Sequence, residues 1–388
     1  MPPRTESWSH LPPELLVTIA DHHSTSLDVL RLRSICQSWR NSVSRDRPGD
    51  SSIWSLRIPF PVVDPLDLII EGRYSLTKSS VCYLVEPERG QGWLVKIEES
   101  GPGRLRALDP VSTVKLGGFP KVLNLVDWRV LEIARSFSLG FSDVKKENLS
   151  IDETRYLAPK KVAVSSADGN VESGGMVMGI FEGGSLLHIR AGDEKWGNSR
   201  EWQLERIYSD VAFWKDRFYA MDAEGNLVIL DRSLNVEDCP WSGIPQDSRE
   251  QKYLVEASGF LYLVVNKNLS LRLFYSDDSV VGCVSDEDEV SRIWFEVFCF
   301  REAEKDWVQV YSLGELAFFV ADDCSFSVVA DDCPPYKRSC IYYSDYDVGD
   351  SSLQASCRVF DLEKSYSQTQ PDCGDNSTLF CPPSLISV

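Results

Sequence analysis

Hydrophobic periodicity changes once along this chain, near Ile53, from a helical repeat to a strand repeat. The change sets a small helical part ahead of a much larger β part. Beyond Ile53, short runs rich in Val, Ile, Leu, Tyr, Phe and Trp alternate with turns of Gly, Asp, Asn and Ser. By spacing the runs pair into hairpins: 81–85 with 93–97, 218–222 with 227–230 across Ala223-Glu224-Gly225-Asn226, and 259–264 with 269–274. Two more follow, 316–320 with 326–329 and 340–344 with 357–361. Hairpins begin near residues 177, 217, 260 and 316, and the first intervals, about forty residues, match a propeller-blade period. The longer third interval holds an acidic insertion, 277–292. The expected architecture is a predominantly β domain built as a β-propeller, with about seven blades from about 330 residues at about 45 per blade. A β-sandwich pair is the other antiparallel assembly open to such strands. No strict kelch or WD pattern recurs. Residues 137–158 read as a loop or insertion. The tail from about 365 is polar and is expected to be mobile or to dock its last apolar residues on the closing blade.

The first fifty residues are too few for a large core yet dense in large apolar side chains. Pro12 and Pro13 precede an apolar-periodic run, where a missing N–H costs nothing in the first helical turn. Glu14 follows at the positive end of the helix dipole, and Leu15, Leu16 and Ile19 share a face. Ser26 is placed to N-cap a short second helix carrying Leu27, Val29 and Leu30. Leu32, Ile35, Cys36, Trp39 and Val43 then form an amphipathic stripe read as a third helix, stopped by Arg47-Pro48-Gly49-Asp50. An all-α three-helix module of this size completes itself by burying a face in another protein, or else belongs to the core of the larger domain.

The order of these residues decides between the two. Leu11-Pro12-Pro13-Glu14-Leu15-Leu16, a gap, then an aliphatic run closing on Cys36-Gln37-Ser38-Trp39-Arg40 resembles an F-box, the three-helix motif that docks on the Skp-family adaptor of SCF ubiquitin ligases. The resemblance covers about forty residues. It implies that Leu11, Pro12, Leu15, Leu16, Ile19, Leu30, Leu32, Ile35, Cys36 and Trp39 make the adaptor interface or the small core behind it. The polar His22-His23-Ser24 connection departs from the motif. A second resemblance spans most of the chain. Trp93-Leu94-Val95-Lys96, the run 210–220, Cys340-Ile341-Tyr342-Tyr343 and Val359-Phe360-Asp361-Leu362 are similar to the C-terminal domain of plant F-box proteins of the Skp-interacting-partner type. Domains are expected at 6–47 for the F-box, 48–54 for a linker and 55–388 for the receptor domain. The resemblance implies the substrate-recognition subunit of an SCF-type E3 ligase. Its partners are the adaptor, through it a cullin, and an unknown target. The alternative is an adaptor-independent interaction scaffold with a vestigial F-box.

Composition narrows the remaining classes. The net charge of −19 is uneven: residues 1–47 carry six basic and five acidic groups, leaving the rest at −20. Such a surface lacks the positive footprint of a nucleic-acid binder. No apolar run is long enough to cross a bilayer as a helix, and the N-terminus lacks a signal-peptide layout, so an intracellular site, nucleus or cytoplasm, is expected. The eleven cysteines are scattered through strand-like runs without a C-x-x-C pair, as buried thiols rather than zinc ligands or disulfides would be. There is no G-x-S-x-G and no phosphate loop, and His188 stands alone outside the helical part. The chain is therefore expected to be non-catalytic, with no cofactor and no metal. Trp196, Trp202 and Trp214 are candidates for a binding rim, with core packing the favoured role.

Overall fold

The computed structural model describes residues 11–22, 26–43, 57–61, 72–85, 92–99, 105–111, 115–116, 128–142, 150–165, 175–197, 206–239, 250–268, 293–346 and 355–368. Among them twenty-one strands form five sheets. The first holds β1 (Arg57–Pro59), β2 (Arg73–Val85), β3 (Gly92–Glu99), β4 (Leu105–Leu108) and β5 (Arg129–Phe141). The second holds β6 (Lys161–Val164), β7 (Met176–Ile180) and β8 (Leu186–Arg190). The third is β9 (Tyr208–Trp214), β10 (Arg217–Asp222), β11 (Leu227–Leu230) and β12 (Val236–Cys239). The fourth is β13 (Gln251–Ala257), β14 (Phe260–Asn268), β15 (Ile293–Arg301) and β16 (Asp306–Val310). The fifth joins β17 (Leu316–Val320), β18 (Phe326–Val329), β19 (Cys340–Tyr346), β20 (Ala355–Asp361) and β21 (Tyr366–Gln368) in the order β18-β17-β19-β20-β21.

One edge strand of each sheet faces the next sheet: β5 meets β6, β6 meets β9, β9 meets β13, β13 meets β18, and β18 returns to β5. The sheets therefore close into a ring, with these five strands innermost. Each neighbouring pair of sheets encloses its own apolar core. Leu76, Leu139, Val162 and Val177 pack between the first and second sheets, and Met178, Leu186, Phe218 and Val228 between the second and third. Leu227, Leu254, Leu263 and Phe298 join the third to the fourth, and Val264, Phe295, Phe318 and Phe360 the fourth to the fifth. Tyr83 and Leu94 meet Phe319, Phe326 and Tyr342 where the fifth sheet closes on the first. Because both faces of each blade are covered, strands such as β11, all four residues buried, read as continuous apolar runs. Burying each such side chain contributes roughly 1.5–3 kcal/mol.

This is a propeller of five blades, not the seven that spacing suggested. The assumed blade length failed. The first sheet draws its strands from 57 to 141 and the fifth from 316 to 368, five strands each, so fewer blades use up the chain. The fifth sheet also inserts a parallel pairing, β17 with β19, between two antiparallel ones.

The hairpins at 81–97, 218–230 and 316–329 and the pair 340–361 form as expected. Asp222 shapes the second of these. Its carboxylate accepts from the Asn226 backbone N–H at 2.7 Å and side-chain amide at 2.9 Å, while Gly225 takes φ 95° between them. Asp231 and Asn235 repeat the same device at the far end of β11, at 2.9 and 2.7 Å. The expected partner of 259–264 differs: β14 pairs with β13 and β15, and 269–274 lies outside the described residues. The 137–158 stretch is not simply a loop. β5 runs on to Phe141, and Ser150 starts helix α4 (Ile151–Leu157) with a capping box, its hydroxyl accepting from the Glu153 N–H at 3.1 Å and its own N–H donating to the Glu153 carboxylate at 2.6 Å. The tail beyond 368 lies outside the described residues.

Candidate functional site: the helical module and the channel

The N-terminal module contains α1 (Pro13–His22), α2 (Ser26–Ile35) and α3 (Gln37–Ser42). Pro12 begins the first turn, its carbonyl accepting from the Leu15 and Leu16 N–H groups at 3.1 and 3.2 Å. The stripe expected to form one third helix is broken at Cys36, whose backbone is extended at φ −158°, ψ 171°. Two arginines bind the halves across this break. Arg33 donates to the carbonyls of Arg40, at 3.0 Å, and of Val43, and the Arg40 guanidinium donates back to the Arg33 carbonyl at 3.2 Å. The break lets α3 fold back so that Trp39 and Val43 join Leu16, Ala20 and Val29 in one small core.

The ten candidate interface residues divide on this core. Leu16 and Trp39 are buried at its centre, and Leu11, Leu32 and Cys36 pack half-buried against it. Pro12, Leu15 and Ile35 face outward, Leu15 at 52% and Ile35 at 54% exposure, and Val17, not singled out from the sequence, joins them at 43%. Ile19 is half-buried. The Leu30 side chain, and residues 23–25 with the polar connection, lie outside what is described. This small module therefore leaves three large aliphatic side chains, Leu15, Val17 and Ile35, open to solvent.

The second candidate is the channel enclosed by the five inner strands, a cavity of about 1030 Å³. One end is crossed by buried ion pairs. Lys161 on β6 meets Asp210 on β9 at 3.2 Å, and Asp210 also accepts the Val211 and Leu254 N–H groups, both at 2.7 Å, tying three blades together. Lys96 on β3 donates to Asp323, just before β18. Burial works against the Lys161 charge, but Asp210 leads the neighbouring groups that hold its pKa above the ordinary value. On the wall, Glu132 accepts from Arg135 at 2.8 and 2.9 Å and from the Ser80 hydroxyl at 2.6 Å. Burial alone would raise the Glu132 carboxyl, but these hydrogen bonds bring it below its usual range.

His188 is partly buried against Gly197, and burial lowers its pKa. Among the described residues no group of His, Cys, Asp and Glu could hold a metal ion, the described cysteines are free thiols, and no helix is long and apolar enough to cross a membrane. Trp196 and Trp214 take the packing role, Trp214 while also lining the channel. The Trp196 indole donates to the Pro59 carbonyl at 2.6 Å and packs edge-on against Phe181, and Trp214 is buried against Tyr219. Trp202 lies outside the described residues. The exposed Leu15, Val17 and Ile35 of the helices and the lined channel are thus the two candidate sites among the described residues.

A five-bladed propeller preceded by a small three-helix module defines the class: a β-propeller protein with an N-terminal helical module. Residues 71–363 match the family model described as KIB1-4 beta-propeller, and the chain belongs to that family. It is similar to F-box protein SKIP23 of Arabidopsis thaliana, 27% identical over 401 residues that cover 97% of this chain and 94% of that one. It is also similar to F-box protein At2g17036 of Arabidopsis thaliana, 24% identical over 410 residues, 97% of this chain and 93% of that one. The resemblance drawn from the N-terminal motif and the strand runs therefore holds: the relatives are plant F-box proteins, and the propeller-like domain is the one this family carries. Among solved structures, a chain of YCF48 bound to D1 peptide overlaps at a TM-score of 0.26 with 12% identity, over 56% of this chain and 63% of that one, too loosely to bear on the fold.

Proposed function

We propose that this chain is the substrate-recognition subunit of an SCF-type E3 ubiquitin ligase, working inside the cell. The helical module docks on a Skp-family adaptor, which links it to a cullin, and the propeller binds a target protein. The chain contributes no catalytic group. It raises the local concentration of the target near the charged ubiquitin enzyme, converting an encounter between separate molecules into one within a complex. The observation that carries the reading is the division of the module: a closed core on Leu16 and Trp39, with Pro12, Leu15 and Ile35 left facing out. The family and the names of its relatives support it.

The test is co-purification of the full chain with a plant Skp-family adaptor, beside the double variant Leu15→Ala, Ile35→Ala. The expected result is stoichiometric capture by the native chain and at least a tenfold loss in the variant, with the melting curve unchanged. Failure of the native chain to bind would instead favour the free-standing interaction scaffold.

A further inference from the structure

Arg31 lies on α2, and its guanidinium donates to the backbone carbonyl of Val130 at the start of β5. It also lines the channel. The channel has two distinguishable ends. At one, Ser136 on β5 and Cys324 before β18 line the channel beside the Lys161–Asp210 pair. The lining then follows β5 back from Ser136 to Val130, and follows β9 and β13 forward to Lys215 and to Ser258-Gly259. Val130 and Arg31 therefore sit at the mouth opposite the ion pairs. A second sign of proximity is the buried Cys82 thiol on β2: burial raises its pKa, Glu132 adds to this, and the charges of Arg31 and Arg135 oppose it.

We infer that the helical module is seated on this mouth of the propeller, with Arg31 as its positioning residue. The chain's own helices then cover that end of the channel and hold the exposed Leu15 and Ile35 at a fixed bearing to the blades. A target meets the propeller at its rim or its other end, not through the covered mouth. The covalent connection lowers the entropic cost of the seat that Arg31 positions. Val43 and Arg57 are fourteen residues apart, a contour of at most about 50 Å, and a short tether gives an effective concentration on the order of millimolar.

The test is energy transfer in the full chain, labelled at the exposed positions Ser38 and Glu304 through non-canonical amino acids so that the native thiols are untouched. The seated module gives one narrow transfer distribution in the native chain. Arg31→Ala broadens it at least twofold and lowers its mean, with unchanged helical circular dichroism. Arg31→Lys, which keeps the cation and a donor, falls between. A broad distribution in the native chain overturns the inference, as does an Arg31→Ala distribution that superimposes on the native one. If the alanine variant unfolds the module, the width of the native distribution decides alone. Adaptor capture is scored on the same samples. The bearing of Leu15 and Ile35 toward an adaptor rests on the proposed function, but the seat does not: a narrow native distribution stands even where no adaptor binds.

Discussion

At the scale of single residues, two neighbours in α1 have opposite duties. Leu16 is fully buried and Leu15 is half exposed. Leu16→Ala is expected to cost about 2–5 kcal/mol of the module's stability through lost burial and the cavity left behind, read as loss of helical signal at lower denaturant. Leu15→Ala should change that midpoint by less than about 0.5 kcal/mol. From the sequence both leucines look alike, since the motif names both. What divides them is the direction of α3 after the Cys36 break, a tertiary fact that no local periodicity encodes. Glu132 supplies a pH prediction. Its folded-state pKa lies below its unfolded value of about 4.3. The ionised form therefore contributes stability above that pH, and the contribution is lost as pH falls through the folded value. Urea midpoints measured from pH 7 to pH 3 should fall more steeply below about 4.3 in the native chain than in Glu132→Gln. Parallel curves would refute this role.

At the scale of elements, the hairpins were the most legible part. Phe218 to Leu230 carries two apolar runs around a Gly-Asn turn, and the local signal agrees with the tertiary role of the strands as buried blade interior. The α4 segment was missed although its signal is present: Ser150 and Glu153 stand three apart, as a capping box requires. The polar composition around it hid the helix. Ser150→Ala should cost about 1 kcal/mol locally, measurable as faster hydrogen exchange at the Thr154 and Ala158 amides, which bond back to the Ser150 and Thr154 carbonyls. Unchanged exchange there would mean that packing, not the cap, holds the helix. The third-helix stripe misled in the other direction. Its spacing is helical throughout, yet the chain extends at Cys36, where the gain from turning Trp39 into the core outweighs one helical turn.

At the scale of the molecule, the sequence carries the propeller but hides the number of blades, because strand count per sheet varies and the closing partners are far apart in the chain. The contact between the fifth and first sheets is the clearest case. Within the fifth sheet Phe319 stacks between Phe326 and Tyr342, each at 4.7 Å, and across the seam the Tyr336 hydroxyl accepts from the Leu94 N–H at 3.1 Å and the Tyr83 hydroxyl donates to the Pro334 carbonyl. Phe319→Ala is expected to cost about 3–5 kcal/mol and to open this seam first. Under native conditions Cys324 and Cys333, both buried in the seam, should then react with a maleimide faster than Cys239 in the third sheet. Equal acceleration at all three would show global unfolding instead. The same seam has a consequence for the making of the protein. The ribosome releases Val81, Tyr83 and Leu94 long before Phe319 and Tyr342, so this apolar flank of the first blade waits in water while some 250 further residues are translated. Chaperones that bind nascent chains should hold this protein chiefly by that flank, and should let go only as the last blade arrives.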